Sequence, residues 1–180
     1  MRVTIAQINT TNGDIAGNTA KIIDAIKKAK TQGSDLVVFP EIATHGYTSQ
    51  DWFQDSDIIA ESGEAVHDIV ASTAGITVIV GTIRRNDDKD GRRLFNSAAV
   101  ISDGKLLGFA DKTLLPEYDV FDDPRYFEPS DHRSVFEIGG VKIGVVVCED
   151  FWNDKTFWDE RLYDSDPTDE VVAMGADVIV

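Results

Sequence analysis

The stretch Val141–Trp152, Val-Lys-Ile-Gly-Val-Val-Val-Cys-Glu-Asp-Phe-Trp, decides the predicted fold. Its β-branched run follows Gly139-Gly140 and predicts a buried strand that begins at a turn. The strand carries the only cysteine of the chain, Cys148, at its carboxyl end. Ligands of open α/β sheets bind beyond the carboxyl ends of the strands, so a thiol at this position is a candidate nucleophile. An inert core thiol is the alternative, because free cysteine is among the most buried residue types.

Two other strands place charged residues in the same context. Leu36–Phe39 is followed by Pro40 and Glu41, and Leu106–Ala110 is followed two residues later by Lys112. A parallel or mixed sheet brings such strand ends to one rim, where a carboxylate can take the thiol proton and an ammonium can stabilise an oxyanion. Each residue also has a structural alternative: Glu41 as the cap of the next element, and Lys112 as a surface lysine of a hairpin.

The rest of the chain alternates strand and helix patterns, which predicts one mixed α/β domain with sheets covered on both faces. The predicted strands are Val3–Asn9, Leu36–Phe39, Ile76–Thr82, Leu94–Ile101, Leu106–Ala110, Ser134–Ile138, Val141–Cys148 and Asp177–Val180. The predicted helices are Thr19–Lys30 with Asn18 as its N-cap, Glu61–Ala74 and Asp169–Met174. The long polar loop 111–133 is a candidate functional loop. Because the last apolar run ends without a cap or polar tail, we expect the chain to be a fragment of a longer protein.

Composition narrows the classes of partner. The chain has 180 residues, of which 42% are hydrophobic and 27% charged, with a formal net charge of −15. Such a surface repels nucleic acid and anionic membranes, so we expect neither as a partner. The N-terminus lacks the apolar core of a signal peptide, and no apolar run approaches the ~18 residues of a membrane span, which favours a cytoplasmic protein. A single cysteine excludes an intramolecular disulfide and a cysteine-based zinc cluster.

Three segments resemble the signature segments of the nitrilase superfamily of carbon-nitrogen hydrolases. They are Phe39-Pro40-Glu41, Lys112-Thr113-Leu114-Leu115-Pro116 and Val147-Cys148-Glu149-Asp150-Phe151-Trp152. The resemblance implies an α/β fold of the nitrilase-like α-β-β-α sandwich type, with two mixed sheets, outer helices and a truncated end. It also implies a catalytic triad of Glu41, Lys112 and Cys148.

Finer features resemble the glutamine amidotransferase domain of glutamine-dependent NAD synthetases. These features are Gly13–Asn18, Gly46-Tyr47 and the loop Pro116–Phe127. The loop departs from that subfamily in having Glu117-Tyr118-Asp119 for Asn-Tyr-Gly, and Asp123 in place of a glutamate. The shorter carboxylate puts in question how Lys112 or the substrate is positioned.

The resemblance implies a reaction and a set of partners. Cys148 would attack the side-chain amide of glutamine, Glu41 would act as the base, and Lys112 with a backbone N–H would hold the oxyanion until water hydrolyses the γ-glutamyl thioester. The residues that resemble the glutamine pocket are Tyr47, Tyr118, Phe121 and Glu149. Glu149 would bind the substrate's α-ammonium or, alternatively, make a structural hydrogen bond behind the thiol.

Residues 1–180 are then expected to be a hydrolase domain that lacks its C-terminal part and is a poor glutaminase alone. The expected partners are glutamine and a synthetase domain, whose Ser-Gly-Gly-x-Asp phosphate loop does not occur in this sequence. ATP and Mg²⁺ are expected only in that absent domain, with no cofactor or metal here. The full-length protein is expected to form a homo-oligomer.

Three other functions stay open at this stage. A stand-alone amidase or carbamoylase of the same superfamily is disfavoured by the loop Tyr118–Phe127. A metal-dependent phosphohydrolase would use Asp111, Asp122, Asp123 and Asp150 and would lose its activity to a chelator. A non-catalytic fragment of such an enzyme would fold but lack a complete site.

Overall fold

The computed structural model describes residues 1–47, 49–88 and 90–180, which form two mixed sheets and four α-helices. The strands are β1 (Val3–Ile5), β2 (Leu36–Val38), β3 (Thr77–Arg85), β4 (Leu94–Ser102), β5 (Lys105–Asp111), β6 (Ser134–Ile138), β7 (Val141–Val145) and β8 (Val178–Ile179). The helices are α1 (Ile15–Thr31), α2 (Ser56–Ala71), α3 (Asp123–Tyr126) and α4 (Pro167–Ala173). The larger sheet has the order β1-β2-β3-β4-β5, parallel up to β3 and antiparallel from there. The smaller sheet pairs β6 with β7 antiparallel and β7 with β8 parallel.

Helices α1 and α2 cover the outer face of the larger sheet. Ile22 and Ile26 of α1 and Ile69 of α2 are fully buried against strand residues of one core cluster. Their spacing puts these apolar side chains on the face that each helix turns to the sheet. Both helices therefore lie on the same sheet.

The two sheets pack face to face. Leu36 and Ile79 of the larger sheet share a second core cluster with Ile143 and Val145 of the smaller one. On the other face of the smaller sheet, α4 lies so close that a Cβ on Gly144 would be 3.0 Å from the Cβ of Val171. The layers are thus helix, sheet, sheet, helix, and the predicted α-β-β-α sandwich is confirmed.

In the N-terminal third of the chain, the two long helices begin at other residues than predicted. Asn18 is not an N-cap but lies inside α1, where its amide bonds both backbone groups of Thr11 and the carbonyl of Thr44. Asp14 caps α1 instead, accepting from the N–H of Gly17 at 3.0 Å. Helix α2 begins five residues before the predicted start, since Asp55 accepts from the N–H of Asp57 at 2.8 Å.

Strand β1 is shorter than the predicted Val3–Asn9, because pairing with β2 extends only from Val3 to Ile5. Within the described parts of the chain, no helix is both long and apolar enough to cross a membrane.

Candidate active site

Glu41 is placed by the close passage of two chain segments. The backbone from Pro40 to Ile42 crosses β3 at Gly81, where a Cβ would lie 2.3 Å from the carbonyl oxygen of Pro40 and 2.4 Å from the nitrogen of Ile42. Only glycine leaves room for this contact. Ile42 itself has φ +48°, a left-handed conformation that is unfavourable for a branched residue. The backbone conformation of the turn that carries Glu41 is therefore stabilised by contacts with neighbouring segments rather than by the preferences of its own residues.

Lys112 is buried between two carboxylates. Its side chain has no exposed surface, and its Nζ lies 2.6 Å from Oε1 of Glu41 and 2.9 Å from Oδ2 of Asp123. Burial alone would lower the pKa of Lys112, but the charges of Glu41 and Asp123 outweigh it and raise the pKa. The side chain is therefore a permanent cation at neutral pH.

Asn96 and Lys112 both donate to the same oxygen of Glu41. The Nδ2 of Asn96 lies 2.7 Å from Oε1, which leaves Oε2 as the oxygen able to accept a further proton. Sequence reasoning missed Asn96; its signal was a polar residue within the apolar strand β4, at the rim where Lys112 begins the next loop. The backbone confirms this proximity, because Lys112 N–H donates to the Asn96 carbonyl at 2.8 Å.

The structure shows how the side chain of Asp123, although shorter than that of glutamate, contributes to positioning Lys112. Because it lies at the start of α3, its carboxylate reaches Lys112 through Oδ2 and accepts from the hydroxyl of Tyr47 through Oδ1 at 3.1 Å. The residue is 6% exposed and shares the Lys112 ammonium with Glu41. Sequence reasoning treated Asp123 as a departure from the family pattern, whereas the structure makes it part of the lysine's environment.

Cys148 lies beyond the strand on which it was predicted. Strand β7 ends at Val145, and Cys148 instead begins a short 3-10 turn, Cys148–Phe151, with φ +47°. The predicted strand Val141–Cys148 is therefore too long by three residues, because the chain must turn to present the thiol. Cys148 is exposed, so the inert core thiol is wrong.

The thiol of Cys148 is in an environment that disfavours its ionisation. Surrounding protein atoms and the negative charge of Glu41 raise the pKa of Cys148 to about 11, while the charge of Lys112 acts in the opposite direction. The thiol is consequently protonated at neutral pH and needs a base before it can act as a nucleophile.

Asp150 ties the loop of Lys112 to the loop of Cys148. Its carboxylate accepts three backbone N–H groups, those of Thr113, Leu114 and Val147, at 3.0, 2.7 and 3.1 Å. Burial raises the pKa of Asp150 to about 6, although these hydrogen bonds oppose the shift. Sequence reasoning considered Asp150 only as a metal ligand, since two of the three backbone groups that it binds are 36 and 37 residues away.

The four residues expected to form a substrate pocket lie in one connected group. The ring of Phe121 is 5.9 Å from that of Tyr47 and 5.6 Å from that of Tyr118. The hydroxyl of Tyr118 donates to Oε2 of Glu149 at 2.8 Å. Sequence reasoning missed Tyr163, which donates to the other oxygen, Oε1, at 3.1 Å.

The four aspartates considered for a metal-dependent reaction do not form a common site. Asp111 binds Arg84 and Ser97, Asp123 binds Lys112, Asp150 binds backbone N–H groups, and Asp122 is exposed. Among the residues described here, no three His, Cys, Asp or Glu side chains are grouped so as to hold a metal ion.

Fold and site together define a class of protein: an α-β-β-α sandwich in which a carboxylate, a buried lysine and an exposed thiol meet at the rim of the sheets. The sequence profile of carbon-nitrogen hydrolases matches residues 2–162. The chain therefore belongs to the carbon-nitrogen hydrolase family of the nitrilase superfamily, and it is homologous to the N-terminal part of glutamine-dependent NAD⁺ synthetases.

Individual relatives support this assignment. The chain is 41% identical over 155 residues to a glutamine-dependent NAD(+) synthetase of Thermotoga maritima, covering 85% of this chain and 26% of the relative. It is 35% identical over 182 residues to one from Synechocystis sp., covering 99% of this chain and 33% of the relative. The solved glutamine-dependent NAD⁺ synthetase of Acinetobacter baumannii superposes with a TM-score of 0.85 at 32% identity, over 98% of this chain and 31% of that one. The chain thus spans about a third or less of the length of these relatives.

Proposed function

We propose that this chain hydrolyses the side-chain amide of glutamine through a thioester on Cys148. The ammonia would serve ATP-dependent synthesis of NAD from deamido-NAD in a synthetase domain of the natural protein. The observation that supports this most directly is the buried Lys112, paired with Glu41 at 2.6 Å beside an exposed thiol.

In the first half-reaction, Glu41 removes the proton of the Cys148 thiol as the sulfur attacks the amide carbon. A base is needed because the pKa of Cys148 is raised to about 11, and Oε2 of Glu41 is the oxygen that neither Lys112 nor Asn96 occupies. The C–N bond of the tetrahedral intermediate then breaks. The nitrogen takes the proton from Glu41 and leaves as ammonia, and the γ-glutamyl group stays on sulfur.

Lys112 stabilises the oxyanion of that intermediate. An ammonium has three N–H donors, of which Glu41 and Asp123 take two, so the third can point to the developing charge. A backbone N–H that follows Cys148 supplies a second donor. One such donor is typically worth about 2.7–4 kcal/mol, which corresponds to at least a hundredfold in rate.

In the second half-reaction, Glu41 activates a water molecule that attacks the thioester carbonyl. The water's oxygen bonds to carbon, its proton passes through Glu41 to the departing sulfur, and glutamate leaves. The same two donors hold the second oxyanion. The cycle ends with the Cys148 thiol and the Glu41 carboxylate restored.

Glutamine as the substrate is supported by the group around Glu149. A carboxylate next in sequence to the nucleophile can bind the α-ammonium, and the rings of Tyr47, Tyr118 and Phe121 can line the path of the substrate's methylene groups. The proposal further includes no cofactor or metal for this domain and places ATP and Mg²⁺ in the synthetase domain. It also includes a homo-oligomeric, cytoplasmic natural protein.

The proposal is tested with Cys148→Ala in the natural protein that contains this chain. We expect glutamine-dependent NAD synthesis to be lost while synthesis from free ammonia remains, because the thiol serves amide hydrolysis only. His132→Ala, at an exposed position, is the matched control and should retain both activities. Glutamine use by Cys148→Ala near the wild-type rate would contradict the proposal. Hydrolysis of simple aliphatic amides in preference to glutamine would instead favour a stand-alone amidase.

A further inference from the structure

Glu149 is a buried carboxylate that has no charge partner among the described residues. It is 5% exposed, and within the described part of the chain no Lys, Arg or His nitrogen lies within salt-bridge distance of it. An unpaired buried charge is unfavourable, and proteins tolerate it mainly where a ligand or a set of hydrogen bonds compensates. Glu149 has two such hydrogen bonds, one to each oxygen, from Tyr118 and Tyr163.

These two hydroxyls hold the carboxylate but do not neutralise it. Hydrogen bonding to Glu149 raises the pKa of Tyr118 to about 12, and burial together with the Glu149 charge raises the pKa of Tyr163. Both hydroxyls therefore stay protonated donors at neutral pH. Each carboxylate oxygen can accept more than one hydrogen bond, so capacity remains for a cationic donor.

Tyr163 is itself held in place by Asn153. The Nδ2 of Asn153, a residue only 3% exposed, donates to the carbonyl of Tyr163 at 2.8 Å and to that of Ser165 at 2.5 Å. A cavity of about 460 Å³ opens beside these residues. Its lining includes Tyr118, Glu149, Trp152, Trp158 and Tyr163. A negative charge is thus fixed in a largely aromatic cavity, next in sequence to the nucleophile.

We propose that Tyr163 is a positioning residue for substrate selection: with Tyr118 it holds the Glu149 carboxylate in the orientation that binds a primary α-ammonium. Tyr163 does not touch the reacting amide. It acts through Glu149 and selects amides that carry an α-amino group over those that lack one. This inference rests on the proposed function, since it names how the same site recognises one end of glutamine.

The test is Tyr163→Phe in the natural protein, assayed with glutamine and with glutaramate, the analogue that lacks the amino group. Loss of a hydrogen bond to a charged group should raise KM for glutamine about tenfold and leave kcat nearly unchanged. The kcat/KM for glutaramate should not change, because that substrate has no ammonium to place. Tyr126→Phe is the matched control: its hydroxyl binds the exposed Asp51, and neither substrate should be affected.

Two further measurements make the result decisive. Titration of glutamine into a Cys148→Ala background should show Kd rising by the same factor when Tyr163→Phe is added. Asn153→Ala, which releases the Tyr163 backbone, should shift selectivity in the same direction. Equal losses of kcat/KM on both substrates would assign Tyr163 a merely structural role, and an unchanged kcat/KM for glutamine would show that it has no role. Either result overturns the inference but leaves the proposed glutaminase activity standing. A wild-type protein that hydrolyses neither amide would overturn the proposed function as well.

Discussion

At the Cys148 thiol, two neighbouring charges act in opposite directions. Burial raises the pKa most, Glu41 raises it further and Lys112 lowers it, so that the pKa is about 11. This balance makes the thiol a poor nucleophile by itself and a competent one only while Glu41 accepts its proton. A site built in this way protects its thiol from chance alkylation and oxidation at neutral pH, because the thiolate is the reactive form.

The pH dependence of thiol alkylation measures this balance directly. A raised pKa means that the thiolate is scarce until the pH approaches about 11, so the rate of iodoacetamide labelling should still be rising between about pH 8 and 10. Glu41→Gln removes a negative charge and should shift the labelling curve to lower pH, whereas Lys112→Met should shift it to higher pH. Peptide mass spectrometry identifies the labelled site.

Glu117→Gln, at an exposed position of the loop, is the control for the removal of a carboxylate and should leave the labelling curve in place. A Glu41→Gln curve that coincides with the wild-type curve would show that Glu41 does not act on the thiol.

At the scale of elements, the site depends on how closely β3 approaches the turn after β2. Gly81 is the point of contact, and the β2 residues just before the turn are paired in register with β3. The position of Glu41 is thus decided by a residue that carries no functional group.

Gly81→Ala should therefore reduce both stability and activity. A Cβ 2.3 Å from the Pro40 carbonyl forces the Glu41 turn away from β3, and overpacking of this kind costs about 1–3 kcal/mol. Gly63→Ala is a control of opposite sign: Gly63 lies in α2 with open space around it, so alanine should stabilise the helix by about 0.5–1 kcal/mol. Denaturant unfolding and glutamine hydrolysis report both effects. An active, fully stable Gly81→Ala protein would contradict the proposed role of the contact.

The sequence predicts which residues follow the strand ends at the site, but it does not predict the long-range contacts that hold them in place. Glu41, Lys112 and Cys148 could be found because each follows an apolar run, a signal confined to a few neighbouring residues. Asp150 and Tyr163 could not, because their partners lie in segments that only the folded chain brings near. The N-terminus of α2 was missed although its local signal is present: Asp55 caps the helix, and Ile58 and Ile59 lie in its first turn.

For the molecule as a whole, the net charge of −15 opposes compaction. Like charges are closer in the folded domain than in the unfolded chain, so their repulsion destabilises the folded state. The site adds to this repulsion, since Glu41 and Asp123 share one lysine and Glu149 has no cation among its described neighbours.

Added salt should therefore stabilise this domain. Raising NaCl from about 0.01 to 0.15 M shortens the screening length from about 30 to 8 Å, so repulsion between surface carboxylates falls while the buried pairs are little affected. Hydrogen–deuterium exchange of the β3 and β4 amides, which reports on this domain within the natural protein, should become slower. Near pH 4 the effect should shrink as carboxylates protonate. Exchange rates that do not respond to salt at neutral pH would rule out the repulsion argument.

The turn that begins at Cys148 assigns three successive side chains to three different neighbours: the thiol to Glu41, Glu149 to the two tyrosines, and Asp150 to the backbone of the Lys112 loop. One inserted or deleted residue would exchange all three assignments at once. Insertions and deletions in this turn should therefore be selected against during evolution, whereas single substitutions can still be tolerated. Libraries intended to redesign the specificity of this protein should vary the identity of residues at positions 152–163 and keep the length from β7 through Asp150 constant.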